Sequence, residues 1–340
     1  MSATANRLRA SARASIAALA LVLLAAAGAQ DAGPAPAAAD KAAAEPRPSE
    51  IAPMAVLSLL LRVVDTGKQL VAVGERGHIL LSADGEQWSQ VRSPVSASLT
   101  AACFSDADHG WAVGHDAAIL RTVDAGHTWT LQHFDPEAHQ PLLDVLCLDQ
   151  QRAYAVGAFG SFFVTRDGGA SWTPADAPAI RADGPHLNAI VKLNNGELFI
   201  AGESGLLGVS ADGGAWEKLK SSYEGSYFGA MPWSDKGVIV YGQRGNVWRS
   251  DDVHSGVWTR LDLGTTQSVF GGTLLPQGGA ALVGADGLAV LLGADGALDR
   301  RKLSRVSGGS DSGTLASVIA RKDGLLAVGE FGVERWRIAP

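Results

Sequence analysis

Ala153-Tyr154-Ala155-Val156-Gly157, then Phe162-Phe163-Val164, then Thr165-Arg166-Asp167-Gly168-Gly169-Ala170-Ser171-Trp172, is the stretch on which the reading of the fold turns. Its first phrase, small and apolar and ending in glycine, recurs at Ala72-Val73-Gly74, Ala112-Val113-Gly114, Ile200-Ala201-Gly202, Val240-Tyr241-Gly242, Leu282-Val283-Gly284 and Ala327-Val328-Gly329. The glycines fall 40 to 45 residues apart, the span of one four-stranded propeller blade. Around the third copy, Leu142 to Leu148 suits an inner strand, Ala153 to Gly157 a second, Phe162 to Thr165 a third, and Trp172 opens a short fourth. Short strands punctuated by Gly, Asp and Asn turns at this density predict an all-β chain, here a seven-bladed β-propeller. The small residues of the phrase are expected where blades converge on the axis, and the apolar runs Leu70 to Val73 and Ala280 to Val283 fit sheets covered on both faces.

Outside the repeats the N-terminus reads as an address. Arg7, Arg9 and Arg13 precede an apolar run from Ile16 to Ala27 and an Ala27-Gly28-Ala29 cleavage site, so residues 1–29 are expected to be a cleaved signal peptide rather than a retained anchor. Residues 30–50 form an Ala/Pro-rich linker with too little apolar surface to fold alone, and residues 51–340 are assigned to the propeller. Loss of the three arginines takes the formal charge from −7 to −10, which argues against a nucleic-acid partner. A periplasmic or otherwise exported monomer that does not span the membrane after cleavage is expected.

Cys103 and Cys147 are the only cysteines and occupy equivalent places in neighbouring blades. An oxidising compartment would permit a bridge, but equivalent strands of adjacent blades are expected to lie too far apart, which favours two buried free thiols.

The turn between third and fourth strands carries a second signature, [Ser/Thr]-x-Asp-x-Gly-x-[Ser/Thr]-Trp. It is complete at Thr122 to Trp129, around Asp124, and at Thr165 to Trp172, around Asp167. It is imperfect at Asp84 with Trp88, where Glu86 takes the glycine place, and at Asp212 with Trp216, one residue short; Asp251-Asp252 with Trp258 is looser. This resembles the Asp-box, or bacterial neuraminidase repeat. Together with the A-V-G phrase the chain resembles the photosystem II stability/assembly factor family of exported seven-bladed propellers, some members of which occur in bacteria without photosynthesis. The resemblance implies a non-catalytic scaffold for a membrane-protein complex, with the Asp-boxes as structural devices. Physics agrees: the aspartate can accept turn N–H groups, the glycine supplies positive φ, and the tryptophan wedges between strands.

Asp-boxes also occur in sialidases, so a glycosidase or a carbohydrate-binding propeller is the alternative. The four tyrosines give it little to work with: Tyr154 and Tyr241 fall inside repeat strands, and Tyr223-Glu224 and Tyr227 on a loop, with no F-R-I-P arginine motif. His133, Asp135, Glu137 and His139 share one loop but lack metal-enforcing spacing. No catalytic residue, cofactor or metal is assigned. What varies between blades is the face bearing the turns between second and third strands, with Glu75, Arg76, His115, Asp116, Phe159, Glu203, Arg244, Asp286, Glu330 and Phe331. The same face carries the loop Lys218 to Tyr227 and the basic cluster Arg300, Arg301, Lys302 and Arg305. Arg76, Arg244, Tyr223, Glu224, Tyr227 and the basic cluster are the candidate binding residues for a protein partner. After Val333 to Ile338 no further strand follows, so the segment Pro48 to Ala55 is expected to pair outside it and close the ring.

Overall fold

The computed structural model describes residues 45–299, 303–305, 313–322 and 324–338. These residues build seven four-stranded sheets with all strand pairs antiparallel, the seven blades that the repeat predicts. Blade three shows the pattern: Leu142–Cys147, Ala153–Gly157, Phe162–Thr165 and Thr173–Pro174. Each second strand is buried along its whole length, as in Leu70–Gly74 and Ala280–Gly284, because both faces of every sheet are covered by neighbours. The core is therefore divided among the blade junctions. Val71, Val73, Leu81, Leu99, Leu120 and Trp129 fill the junction of blades one and two, and Leu60, Ala72, Leu80, Leu326 and Val328 the junction of seven and one.

The repeat glycine has a sharper reason than convergence on the axis. A Cβ at Gly74 would lie 2.2 Å from the carbonyl oxygen of Leu59, and one at Gly157 would lie 2.3 Å from that of Pro141. Opposite each of these glycines the first strand carries one extra residue, a β-bulge that presses its backbone against the second strand. The glycine is thus required by close backbone approach and not by its φ, which is extended.

Two expectations are corrected. Cys103 and Cys147 are not free: they form a disulfide with Cα atoms 5.8 Å apart. Both lie on the innermost strands, Leu99–Phe104 and Leu142–Cys147, where adjacent blades come closest, so the distance argument that disfavoured the bridge fails there. Both are half-buried rather than buried.

Nor does Pro48 to Ala55 close the ring. The outer strand of blade seven is Leu303–Arg305, which pairs Leu303 with Ile338 and Arg305 with Trp336. Blade seven is completed by chain that precedes its own inner strand, giving the order 303–305, 332–338, 324–329, 315–321. The N-terminal segment runs instead along blade one, where Ser49 N donates to Ser93 O at 2.9 Å and Ala52 N to Gln90 Oε1 at 2.7 Å. It then curls into a single 3-10 turn, Ala55–Leu57, against the start of the Gly332–Ile338 strand. The seam between blades seven and one is held by side chains: Ser317 Oγ accepts from Val63 N at 3.3 Å, Arg321 pairs with Asp65 at 2.9 Å, and Arg335 pairs with Glu86.

Candidate functional site

Each first strand begins, and each second strand ends, on one face of the ring, so the turns to the third strands all emerge there. In six blades this turn is a three-residue 3-10 turn whose middle residue is left-handed although it is not glycine. Arg76 (φ 54°), Asp116 (58°), Phe159 (54°), Ser204 (54°), Arg244 (58°) and Asp286 (51°) form this series. A non-glycine residue there costs on the order of 1 kcal/mol. The turn is held in place by hydrogen bonds that do not involve the displayed side chain. Its first N–H donates to the carbonyl preceding the inner strand, as Glu75 N does to Leu59 O (3.0 Å) and Gln243 N to Ser226 O (3.0 Å). In blades one, four and seven a glutamate at the first turn position also accepts from that strand's entry: Glu75 from Leu59 N, Glu203 from His186 N and Glu330 from Thr314 N. These three acids are committed to the scaffold. Arg76, Arg244 and Phe159 project as exposed side chains, the last with its ring edge-on to His186 at 4.9 Å.

The bulge residues form an inner ring on the same face, at the mouth of the axial channel: Leu61, Thr100, Leu143, Asn188, Phe228, Phe270 and Ala316, all half-buried. Two of the polar members lace neighbouring blades together, Thr100 Oγ1 donating to Leu142 O (2.7 Å) and Asn188 Nδ2 to Tyr227 O (2.7 Å). Phe228 and Phe270 stack at 5.3 Å with planes 23° apart. Sequence reasoning missed this ring, because Leu, Thr, Asn, Phe and Ala share no residue type and only the bulge aligns them.

One position deeper, Arg62 of blade one reaches across to Asp144 of blade three, Nη2 to Oδ1 at 2.6 Å. The other oxygen of Asp144 accepts from Ile190 N of blade four at 3.0 Å. Burial raises the Asp144 carboxyl above its usual range, against the pull of the Arg62 guanidinium. Beside them burial pushes the Tyr241 hydroxyl up to about 12, and its ring occupies the space in which a Cβ of Gly229 would lie. The aspartate is held by a fixed cation and a backbone donor, an arrangement that ties three blades together.

The other candidates separate. Tyr223 donates its hydroxyl to Gln243 O (3.2 Å) and meets Tyr227 edge-on at 5.6 Å, while Glu224 is exposed at the loop tip. Tyr227 is corrected: it opens the strand Tyr227–Pro232, is fully buried, and its hydroxyl, bonded to Ser221, is pushed up to about 12 by burial. Arg300, Arg301 and Lys302 lie outside the described residues. Arg305 lies in the outer strand of blade seven and not on a loop. Among the histidine-loop residues, Asp135 caps the 3-10 turn Pro136–Ala138 through Ala138 N (3.1 Å), and the His133 ring lies tilted against Phe163 at 5.3 Å.

The Asp-boxes occupy the opposite face, and their carboxylates bond groups of their own turns. Asp167 accepts from Thr165 Oγ1, Ser171 N and Ser171 Oγ at 2.8, 3.0 and 2.6 Å, and these bonds lower its carboxyl to about 2. Asp124 repeats the set with Thr122 and Thr128, and Asp84 accepts from Ser82 Oγ, Glu86 N and Gln87 N. Asp212 keeps one bond, from Gly214 N. Trp129 and Trp216 are buried, Trp88 and Trp172 half-buried; Trp129 and Trp88 donate to the glycine carbonyls of their own boxes. The boxes also join blades, since Ala125 O accepts from Gln69 of blade one and Gly168 O from Arg121 and Gln132 of blade two.

Among known proteins, the sequence model of the photosynthesis system II assembly factor YCF48 family matches residues 80–141 and 134–226. The photosystem II assembly lipoprotein Ycf48 of a Synechococcus species is 27% identical over 162 residues, 43% of this chain and 47% of the relative. The photosystem II assembly protein Ycf48 of Thermosynechococcus vestitus is 37% identical over 46 residues, 14% of this chain and 13% of the relative. The chain thus matches less than half the length of these curated relatives. Among solved structures, YCF48 bound to D1 peptide superposes with a TM-score of 0.66 at 16% identity, over 86% of this chain and 96% of that one. YCF48 from Cyanidioschyzon merolae gives 0.66 at 17%, over 86% and 98%, and the WD40 propeller of Doa1 gives 0.64 at 13%, over 82% and 92%. These likenesses establish the propeller. Among the described residues, no helix is long and apolar enough to cross a membrane.

Proposed function

Starting from a chain that is photosystem II assembly factor-like in its repeats, we propose that it is an exported, non-catalytic propeller that holds a segment of a membrane-protein complex during assembly. The observation that carries this reading is the ring of six strained turns. A fold that keeps six non-glycine residues left-handed on one face, with arginine, aspartate, phenylalanine and serine among them, retains backbone strain where it serves only display. The fold neighbour solved with a D1 peptide supports peptide capture by this architecture. Export is supported by the Cys103–Cys147 bridge, which belongs to an oxidising compartment, and by the reading of residues 1–29 as a signal peptide and 30–50 as a spacer. The pairing of Asp144 with Arg62 and the Asp-boxes, whose carboxylates bond their own turns, suit scaffolding. Arg76, Arg244, Tyr223 and Glu224 are the contact residues on this reading, and the basic residues Arg300, Arg301, Lys302 and Arg305 are proposed to contribute as well.

The test immobilises the mature propeller and titrates it with terminal and loop peptides of the membrane proteins encoded beside it, a D1 peptide included. Alanine at Arg76, Phe159 and Arg244 together should weaken capture at least tenfold with an unchanged melting temperature. Capture that survives this triple change but is lost on altering the Asp-box face would assign the wrong side of the ring.

A further inference from the structure

Four of the eight large apolar side chains exposed among the described residues gather at one place, the seam of blades seven and one on the turn-bearing face. Ile51, Met54 and Leu57 are 49%, 62% and 54% exposed, and Phe331 is 51% exposed. The first three follow one another every third residue along the curled N-terminal segment, whose opposite side buries Ala55 and packs Ala52 and Val56 into the seam. Phe331 adjoins them because Gly332 is pressed against this segment, a Cβ there meeting Val56 O at 1.8 Å. The outward side from Ile51 to Leu57 shows only Ile51, Pro53, Met54 and Leu57 as exposed residues, with no charge among them.

We infer that this seam is a shallow membrane contact that inserts into the interface of a neutral lipid bilayer and turns the displayed face toward the membrane. Three observations favour lipid over a second copy of the chain or a peptide. The exposed apolar area is on the order of 400 Å², enough to be a functional patch but about half of what each partner buries in a stable dimer. The patch rides on a protruding segment and not in a groove, and much of its backbone is bonded within the protein, through Ala52 N to Gln90, Leu57 N to Met54 O and Ser58 N to Ala55 O; backbone groups so satisfied can approach an apolar phase. The residue immediately before the segment and the one immediately before Phe331 are acidic, Glu50 and Glu330, with Arg47 and Arg62 farther along the chain, and the chain as a whole has a net negative charge. The complementary surface is therefore zwitterionic, the reverse of a polybasic anchor. The inference draws on the proposed function only for the location at a membrane, and its flotation readout needs no assembly partner.

The experiment is flotation of the mature protein with phosphatidylcholine vesicles, alongside vesicles carrying about one-third phosphatidylglycerol, with light scattering of the lipid-free protein. Wild type should float with phosphatidylcholine and about threefold less with the anionic vesicles. Met54→Asp with Leu57→Asp should lose at least fivefold of the floated fraction while melting like wild type and still capturing partner peptide. Absence of wild-type flotation, or flotation untouched by the double change, overturns the inference while leaving peptide capture unaffected. A lipid-free dimer abolished by the same double change would overturn it in favour of self-association.

Discussion

Cutting the Cys103–Cys147 bridge is the perturbation whose cost can be worked most directly from the structure. The cysteines are 44 residues apart in sequence, so the bridge closes one whole blade repeat in the unfolded chain. In the chain-entropy account a loop of this length is worth about 4 kcal/mol. At roughly 2.1 cal/mol/K of unfolding entropy per residue, a propeller of about 290 residues has an unfolding entropy near 0.6 kcal/mol/K, so this loss lowers the melting temperature by about 6 to 7 °C. The folded state should otherwise persist, because the junction of blades two and three also buries Ala101, Trp111, Val113, Ile119, Leu142 and Val145. The assay is calorimetry on three samples: untreated protein, protein reduced and alkylated, and the double variant Cys103→Ala, Cys147→Ala. Alkylation of untreated protein in denaturant, read by mass spectrometry, should add no label without reductant. Two labelled thiols in that control, or reduced and double-variant samples melting within about 1 °C of the untreated protein, would refute the reasoning.

Gly157→Ala should cost at least about 1–3 kcal/mol, measured by denaturant titration, since its Cβ would meet Pro141 O at 2.3 Å; a neutral result would mean that the bulge relaxes freely. Arg62→Ala leaves Asp144 buried without its cation and should destabilise by about 3 kcal/mol, the lower end because the arginine side chain is 35% exposed. That deficit should widen as pH rises. The raised carboxyl of Asp144 stays protonated in the folded chain after its unfolded counterpart has ionised, so stability is lost between the unfolded and folded pKa, and removing Arg62 extends the window upward. A deficit that shrinks with rising pH would contradict this. The Asp-boxes work with the opposite sign: the lowered carboxyls of Asp84, Asp124 and Asp167 contribute stability fully present above about pH 4, lost as pH falls, for Asp167 toward about 2. Asp167→Asn should flatten that acid limb of the melting-temperature profile and change little in its slope at neutral pH.

The architecture was legible because each of its devices repeats. Seven in-phase glycines and two complete Asp-boxes could be read without neighbours, since turn and box are each written within a few consecutive residues. What escaped depends on which strands meet. The Cys103–Cys147 bridge requires knowing that both residues lie on innermost strands, and the closing strand Leu303–Arg305 precedes the strands it completes. Tyr227 looked like a loop aromatic because the bulge beside it hides where the inner strand begins. The displayed face was half legible: Arg76, Phe159 and Arg244 stand out by varying at a fixed place, whereas Phe228 and Phe270 meet only through packing between blades five and six.

Because blade seven finds its outer strand within its own stretch of chain, no sheet is shared between the two ends of the propeller. Each blade is a contiguous cassette, and the break between first and last could be moved to another connection between blades without splitting a sheet. The same arrangement sets how the ring responds to force. A pull on the N-terminal segment is borne at the seam by the Asp65–Arg321 and Glu86–Arg335 pairs and the apolar packing around Leu60 and Val328. Such a seam opens by peeling side chains apart one after another, without shearing a ladder of backbone hydrogen bonds, so a tethered propeller of this design should part at lower tension than one whose final blade is stitched by strands from both termini.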